Sequence, residues 1–598
     1  MVRRYPILLF LLLTGLQGRG QYRSKIIHHD PRGRLVYLSD HSGNRIPDFS
    51  QAGYLRGDSA IPRIPVVAKI KPVPGNNSIR IQKVLDSLAA LPADAKGFRG
   101  MVLLFPGRYD IYEPIKISAS GIVLQGAGDG QDETRNTVLI GKGKDFGSAG
   151  TVVLVAGNAA SGWKDEIDGT RTRISSEFIP VGSRTFRIDH PKAYRPGDEI
   201  VIFHPCTQKW IDFVDGGGTD TDPSWMPGEV DVFYKRQIIA IKGNQVTIDI
   251  PVYNHLDKGL SQSFVYKYNP KGILRNVGVE NMRIDIANKG GEDEEHTNYG
   301  VFFSGVQDCW AKKVSALHFV RAGFITTTAD RVTIDSCQAL EPVSKIIGER
   351  RYNFCVAEYS NNILFSNCRS TEARHSFVSN GCGSASGIVF MNSTADINHT
   401  ASESHRMWSQ GMLFENIKFT DNRKGTALAL YNRGSFGVGH GWSAVHSVAW
   451  NCRVLKGRIV IQKPPGGQNY AICSGDTVNS RGPFVQPEGY IEGTGKTPLI
   501  SSLFDAQLKE RQGYGIMPDA PARLKLVMKN SRKMLIWDDI AADEESYVIE
   551  GSEDGVKFHV LGGLKADSTF YPIVRNSRYY RAYALSSKGR SAYSNVVE

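Results

Sequence analysis

The chain has 598 residues, 41% of them apolar, with 62 glycines and a formal charge of +12. That length exceeds one ordinary globular core, so it requires several domains or an elongated repeat. The glycine content favours turn-rich β structure over helical bundles. The sequence carries no Lys/Arg-rich stripe of the nucleic-acid-binding kind, no later segment long and apolar enough for a membrane span, and no metal-finger spacing among its eight cysteines.

The chain opens with Arg3 and Arg4, continues with an apolar run from Ile7 to Leu16, and reaches small and polar residues by Gly20. A basic start, a short apolar run and a Gly-rich exit describe a signal peptide over 1–20, cleaved on export to the periplasm or the medium. Loss of Arg3, Arg4 and Arg19 takes the charge from +12 to +9. A basic exported protein suits an acidic polymer as partner.

Residues 21–149 read as an N-terminal cap and the first coils of a repeat. Apolar spacing over Ile79–Leu91 fits a helix that covers an open sheet end. Residues 150–272 break the repeat and read as an inserted β subdomain with antiparallel strands. Its run Asp215-Gly-Gly-Gly-Thr-Asp-Thr-Asp222 places oxygen ligands at alternate positions, which suits Ca2+. It lacks a closing bidentate Glu, so a turn is the first expectation, and no cofactor is assigned beyond that open Ca2+ reading.

Residues 273–515 carry the main repeat. Segments such as Arg331-Val-Thr-Ile-Asp-Ser336, Asn362-Ile-Leu-Phe-Ser-Asn367, Gly387-Ile-Val-Phe-Met-Asn392, Gly411-Met-Leu-Phe-Glu-Asn416 and His446-Ser-Val-Ala-Trp-Asn451 recur at roughly two dozen residues. Asn281–Ile286 and Asp308–Lys313 read as earlier members. Alternation marks strands with one buried face, and recurrence without intervening helices means each strand lies on the next coil's equivalent. The expected fold is all-β: a right-handed parallel β-helix with an inserted β subdomain and a C-terminal β-sandwich. Asn367, Asn392, Asn416 and Asn451 should form a hydrogen-bonded ladder at a bend, and Cys337, Cys368 and Cys452 should fill the core beside it. A second column reads Arg-x-x-Phe at Arg321, Arg351, Arg374 and Arg433, with Phe324, Phe354, Phe377 and Phe436 expected to point inward.

From Pro518 the composition changes, and short alternating strands over 518–598 fit a β-sandwich. Trp537, Tyr579-Tyr-Arg-Ala-Tyr-Ala584 and Ser591-Ala-Tyr-Ser-Asn595 resemble a fibronectin type III domain. Ile79-Arg-Ile-Gln82, Phe105-Pro-Gly-Arg-Tyr109 and Ile115–Gly126 resemble the opening of the pectate-lyase-like β-helix superfamily. The resemblance spans roughly 60–510, and from His405-Arg-Met-Trp408 through Gly439-His-Gly-Trp442 it is similar to exported β-helix polysaccharide lyases. It implies a secreted enzyme on a carbohydrate polymer. The superfamily's calcium-binding Asp cluster has no counterpart here, so pectate is not the implied substrate.

Polar residues concentrate between 349 and 442, on consecutive coils, where they can line one groove. A lyase acting on a uronate must neutralise a carboxylate, abstract the α-proton and protonate the leaving oxygen. Arg374, Arg406 and Arg433 suit the first task, His375 or His405 the second, Tyr431 or Tyr352 the third. Arg351, His399 and His440 are candidate substrate contacts, and Trp408 and Trp442 candidate sugar-stacking platforms. A glycoside hydrolase on the same fold is the alternative, with Asp396, Glu403, Glu415 and Asp421 as candidate carboxylates. A non-catalytic carbohydrate-binding β-helix is the third reading. A monomer with an acidic polysaccharide as its partner is expected.

Overall fold

The structure is a computed structural model that describes residues 21–143, 150–158, 163, 164, 166–515 and 517–598; the expected signal peptide lies outside them. Among the described residues, no helix is long and apolar enough to cross a membrane.

The chain folds as a parallel β-helix. Among the described residues, twenty-nine strands pair in parallel, each with the equivalent strand one coil away. Helix α1 (Ser78–Ala89) buries Ile81, Leu85 and Leu88 in the first coils, closing the N-terminal end of the stack. Tyr109 of the Phe-Pro-Gly-Arg-Tyr stretch is buried and donates to the carbonyls of Ile70 and Phe105 at 2.8 and 3.0 Å, locking the first two coils together.

The corners explain the repeat. Asn367, Asn392, Asn416 and Asn451 all adopt positive φ, between 50° and 56°, a conformation in which Asn is tolerated where most side chains are strained. Asn416 donates to Asn392 at 3.1 Å and Asn451 to Asn416 at 2.7 Å, so the side-chain ladder runs up the bend. A second positive-φ column passes through Asn276, Asp308, Arg331, Asn362, Gly387, Gly411 and His446. The segment at Asn281–Ile286 was placed out of register by the sequence reading. Glu280 pairs with Lys312 and Met282 with Val314, so Asn281, not Ile286, belongs to the corner column.

Inside the stack, Phe324, Phe354 and Phe377 lie one above another with centroids 5.3 and 5.6 Å apart. A parallel stack joins Phe365, Phe390 and Phe414 at 4.8 and 5.2 Å. The expected fourth member of the first column, Phe436, is 43% exposed. The register carries the column through Ser402 to Leu428 instead, because Glu403 pairs with Ala429 and Ser402 with Leu428. All eight cysteines are free thiols, and Cys337, Cys368 and Cys452 sit in the main core.

The inserted subdomain is a six-stranded antiparallel sheet, ordered Thr172–Arg173, Phe264–Lys267, Glu199–His204, Val232–Lys242, Gln245–Ile248, Thr185–Arg187, with the short helix α2 (Gln208–Phe213). Thr151–Ala156, assigned to the insert from sequence, pairs in parallel with Tyr299–Ser304 and belongs to the stack. Residues 21–64 precede the capping helix α1. They run along the outside of the stack as a strap, from Ser24, which contacts Glu492, to Tyr54, which packs on Trp310 at 5.0 Å. Helix α3 (Leu503–Tyr514) follows the last coils and clamps the strap: Arg511 donates to Ser50 Oγ, and Gln507 to the Pro47 carbonyl. Beyond it, Ala522–Lys529, Arg532–Asp538 and Phe570–Pro572 form one antiparallel sheet, and His559–Lys565, Ser546–Ser552, Tyr579–Ser586 and Gly589–Arg590 a second, around Leu535, Trp537, Tyr547 and Tyr580.

Candidate active site

One outward-facing row on successive coils reads Cys355, Val378, Glu403, Ala429, beside the inward row Phe354, Phe377, Ser402, Leu428. Glu403 therefore points away from the core, yet it is only 1% exposed. It is covered by its own coil's bend, Ser404–Trp408, and by the loop after Tyr431. A buried carboxylate is tolerable only when its oxygens are engaged. Tyr431 donates to Glu403 Oε2 at 2.8 Å, His405 Nδ1 lies 2.9 Å from Oε1, and Arg433 pairs with the same oxygen. His375 Nε2 stands 3.5 Å away.

His405 Nδ1 lies 2.9 Å both from Glu403 Oε1, which can only accept, and from Arg433 Nη1, which can only donate; in the tautomer that donates to Glu403, Nδ1 carries the proton and Nε2 keeps its lone pair. Burial, followed by the nearby charges of Arg374 and Arg406, holds the His405 pKa below the usual range, so the ring is neutral. Its Nε2 faces the Tyr352 hydroxyl at 3.1 Å, and that hydroxyl accepts from Arg374 Nη1 at 2.7 Å. The result is a continuous chain: Glu403, His405, Tyr352, Arg374. His375 is also kept neutral, chiefly by burial, and is pinned through Nδ1 to the Ala401 carbonyl at 2.6 Å. His440 lies over His405, with ring centroids 5.1 Å apart, and its Nδ1 is buried without a partner.

The Gly-His-Gly stretch holds that loop against the insert. A Cβ on Gly439 would meet the Pro223 carbonyl oxygen at 2.1 Å, and one on Gly441 the Gly217 oxygen at 2.5 Å. Trp225 Nε1 donates to the Gly439 carbonyl at 3.0 Å. The Asp215–Asp222 run thus serves as a docking loop: Asp215 accepts from Thr219, and the Thr219 carbonyl accepts from Asn432. Its carboxylates do not gather into either close-set group of metal-ligating side chains found among the described residues.

A cavity of about 470 Å3 opens beside Glu403, His375, Tyr431 and Arg433. Its wall adds Arg374, Lys424, Arg458 and Arg481, with Phe436 at the rim, and among the described residues Glu403 is the one carboxylate in the lining. Sequence reading missed Lys424, Arg458 and Arg481. Extending the basic positions one coil further would have found Arg458, which pairs in register with Thr426.

Five sequence candidates fall elsewhere. Trp408 and Trp442 are 1% and 0% exposed, packed with Trp210 and Trp225 in the insert's core, so neither offers a face to a sugar. Trp408 Nε1 donates to Asn254 at 3.1 Å. Arg406 points to Glu358 at 3.4 Å, Arg351 donates to the Ser344 carbonyl, and His399 pairs with Glu372 at 3.0 Å. Among the other carboxylates weighed, Asp396 pairs with Arg369, Asp421 with Lys456, and Glu415 with the start of α3.

No known protein-family profile and no curated protein matches the chain. Among solved structures, the chain is similar to the tailspike protein gp49 from Pseudomonas phage LKA1, at 15% identity and a TM-score of 0.41, covering 69% of this chain and 67% of that one. A tailspike gp49 from Acinetobacter baumannii bacteriophage Fri1, described as a capsular polysaccharide depolymerase, matches at 10% identity and TM-score 0.32, covering 94% and 90%. An alginate lyase from Paenibacillus sp. str. FPU-7 matches at 10% identity and TM-score 0.30, covering 72% and 100%.

Proposed function

We propose that this protein is an exported enzyme that cleaves an acidic, uronic-acid-containing polysaccharide by β-elimination. The observation that carries the reading is the cavity in which Arg374, Lys424, Arg433, Arg458 and Arg481 surround the buried Glu403, which is paired behind the wall with His405. Five cations against one already paired carboxylate favour an anionic ligand.

In this reading a substrate carboxylate pairs with Arg374 and the outer basic groups, which acidifies the adjacent C–H. The Tyr352 hydroxyl passes its proton to His405 Nε2 and takes the α-proton. Arg374 steadies the phenolate, and Glu403 the imidazolium. The C–H electrons form the new C=C bond, the C–O bond to the leaving sugar breaks, and Tyr431 protonates the departing oxygen. His375 and His440 enclose the His405 ring and keep water from it.

Hydrolysis by two carboxylates requires a pair about 5–9.5 Å apart across the bond. The cavity lining supplies Glu403 alone, and that carboxylate is engaged by Tyr431, His405 and Arg433. This favours elimination over hydrolysis. The order of strands in the C-terminal sandwich supports a fibronectin type III-like module that spaces or docks the enzyme.

The test is a panel of uronic-acid polysaccharides followed by ultraviolet absorbance, since only the unsaturated product absorbs. Absorbance that rises with the wild type and is lost in His405→Ala and Arg374→Ala supports the assignment. New reducing ends without absorbance would turn it to hydrolysis.

A further inference from the structure

Three carboxylates converge far from the cavity, where the C-terminal sandwich meets the insert. Asp539, Glu544 and Asp567 each bring one oxygen to within 4.8 Å of the other two. They come from three places: Asp539 just follows strand Arg532–Asp538, Glu544 precedes Ser546–Ser552, and Asp567 sits in the turn between His559–Lys565 and Phe570–Pro572. Like charges at this spacing repel unless something positive lies among them.

A second observation concerns Glu544 itself. Its side chain is 7% exposed, and Oε1 accepts from the Asp567 amide at 3.0 Å. Its Oε2 is buried with no hydrogen-bond donor. An anionic oxygen removed from water with nothing to meet it is costly, and such atoms call for a missing ligand. Asp539 is already engaged through Oδ1 by the Tyr547 hydroxyl at 2.5 Å and the Ala541 amide at 3.2 Å, which fixes its orientation. The neighbouring cation, Lys242 Nζ, lies 3.6 Å from Asp567 on a side chain 62% exposed, one mobile charge against three.

We propose that Asp539, Glu544 and Asp567 form a Ca2+ site. Oxygen ligands lie about 2.3–2.6 Å from Ca2+, so two oxygens on one ion can stand up to about 5 Å apart, and the three oxygens here are within that reach. Three carboxylates that can bind through one or both oxygens, with water completing the shell, suit Ca2+ better than the smaller, strictly octahedral Mg2+. The other close-set group, His375, Glu403 and His405, differs because Arg433 already occupies its centre. The ion would brace a junction where Gln245 donates to the Ala541 carbonyl at 2.7 Å.

Tyr547 touches Asp539, and Trp537 lies 5.6 Å from Tyr547, so bound Tb3+ would be excited through these rings. The full chain, freed of metal by chelation, is titrated with Tb3+ under aromatic excitation and then with Ca2+. The expected result is one Ca2+-displaceable luminescent site, weakened about tenfold or more in Glu544→Gln and in Asp567→Asn. Ca2+ should raise the unfolding midpoint of the wild type and not of the variants. Asp567 is exposed in a turn, so its variant keeps the test readable if Glu544→Gln fails to fold. Absence of a displaceable signal, or a signal undiminished in Asp567→Asn and in any folded Glu544→Gln, overturns the proposal.

Discussion

Tyr352→Phe isolates the proton path, because it deletes one oxygen and keeps the ring. That oxygen accepts from Arg374 at 2.7 Å and faces His405 Nε2 at 3.1 Å, on a side chain 4% exposed. Its removal leaves His405 Nε2 as one buried acceptor without a donor, at a cost of about 1–3 kcal/mol. Arg374 is half-buried and can turn to water. The fold, held by stacked coils, should survive, with a small drop in unfolding midpoint. If Tyr352 moves the proton, the rate loss is about 100- to 10,000-fold, equivalent to about 2.7–5.4 kcal/mol at 1.36 kcal/mol per decade. Initial rates from product absorbance should show that loss in kcat, with KM within about threefold because the carboxylate anchor remains. A kcat within about tenfold of wild type would refute the relay and leave Tyr352 as a packing group.

Other outcomes follow from the same geometry. Arg481→Ala and Lys424→Ala should raise KM about 3- to 10-fold at low ionic strength with kcat unchanged, and the gap should close in high salt as the rim charges are screened; a salt-independent effect would point to lost shape. Phe390→Ala opens a hole in the Phe365–Phe390–Phe414 stack and should cost about 3–5 kcal/mol in urea unfolding, against under about 1 kcal/mol if the stack can collapse. Glu415, whose usual value is 4.5, is raised by burial to about 7. The folded state thus holds its proton where the unfolded chain has released it. Stability from this group is complete below about pH 4.5 and is lost as pH rises through about 7, by about 3 kcal/mol. Glu415→Gln should flatten that fall in a pH series of unfolding curves, and an unchanged slope would contradict it.

What the sequence disclosed followed from locality. Corner asparagines, core cysteines and paired phenylalanines repeat within each coil, so their pattern could be read along the chain. Asn281 was misregistered because its strand runs unbroken through the corner, from Gly278 to Ile286, so alternation alone could not locate the bend. The polar candidates Arg374, His375, His405, Tyr431 and Arg433 do meet, since consecutive coils place them side by side. The central role of Glu403 was not legible, because its partners arrive from three separate segments: the strand at His375, the bend at His405 and the loop carrying Tyr431 and Arg433. Trp408 and Trp442 misled for the opposite reason. Both look like exposed groove residues along the coil, yet an inserted domain, whose Trp210 and Trp225 lie roughly 200 residues earlier, folds back over them. Burial imposed by a distant segment leaves no trace in local periodicity.

The strap has a consequence for how the protein comes apart. In a stack where each coil touches only its neighbours, melting can start at a free end and travel inward. Here the chain segment before the first coil is fastened to the last ones: Tyr22 bridges to Pro498, Ser24 and Lys25 grip Glu492, and α3 holds Ser50. Peeling the C-terminal coils therefore requires lifting the strap, and lifting the strap uncovers Trp310 near the opposite end. The two ends are coupled like the halves of a buckle, so the solenoid should persist or fail as a unit. A single cut in the strap, far from any catalytic group, should convert that cooperative transition into gradual fraying.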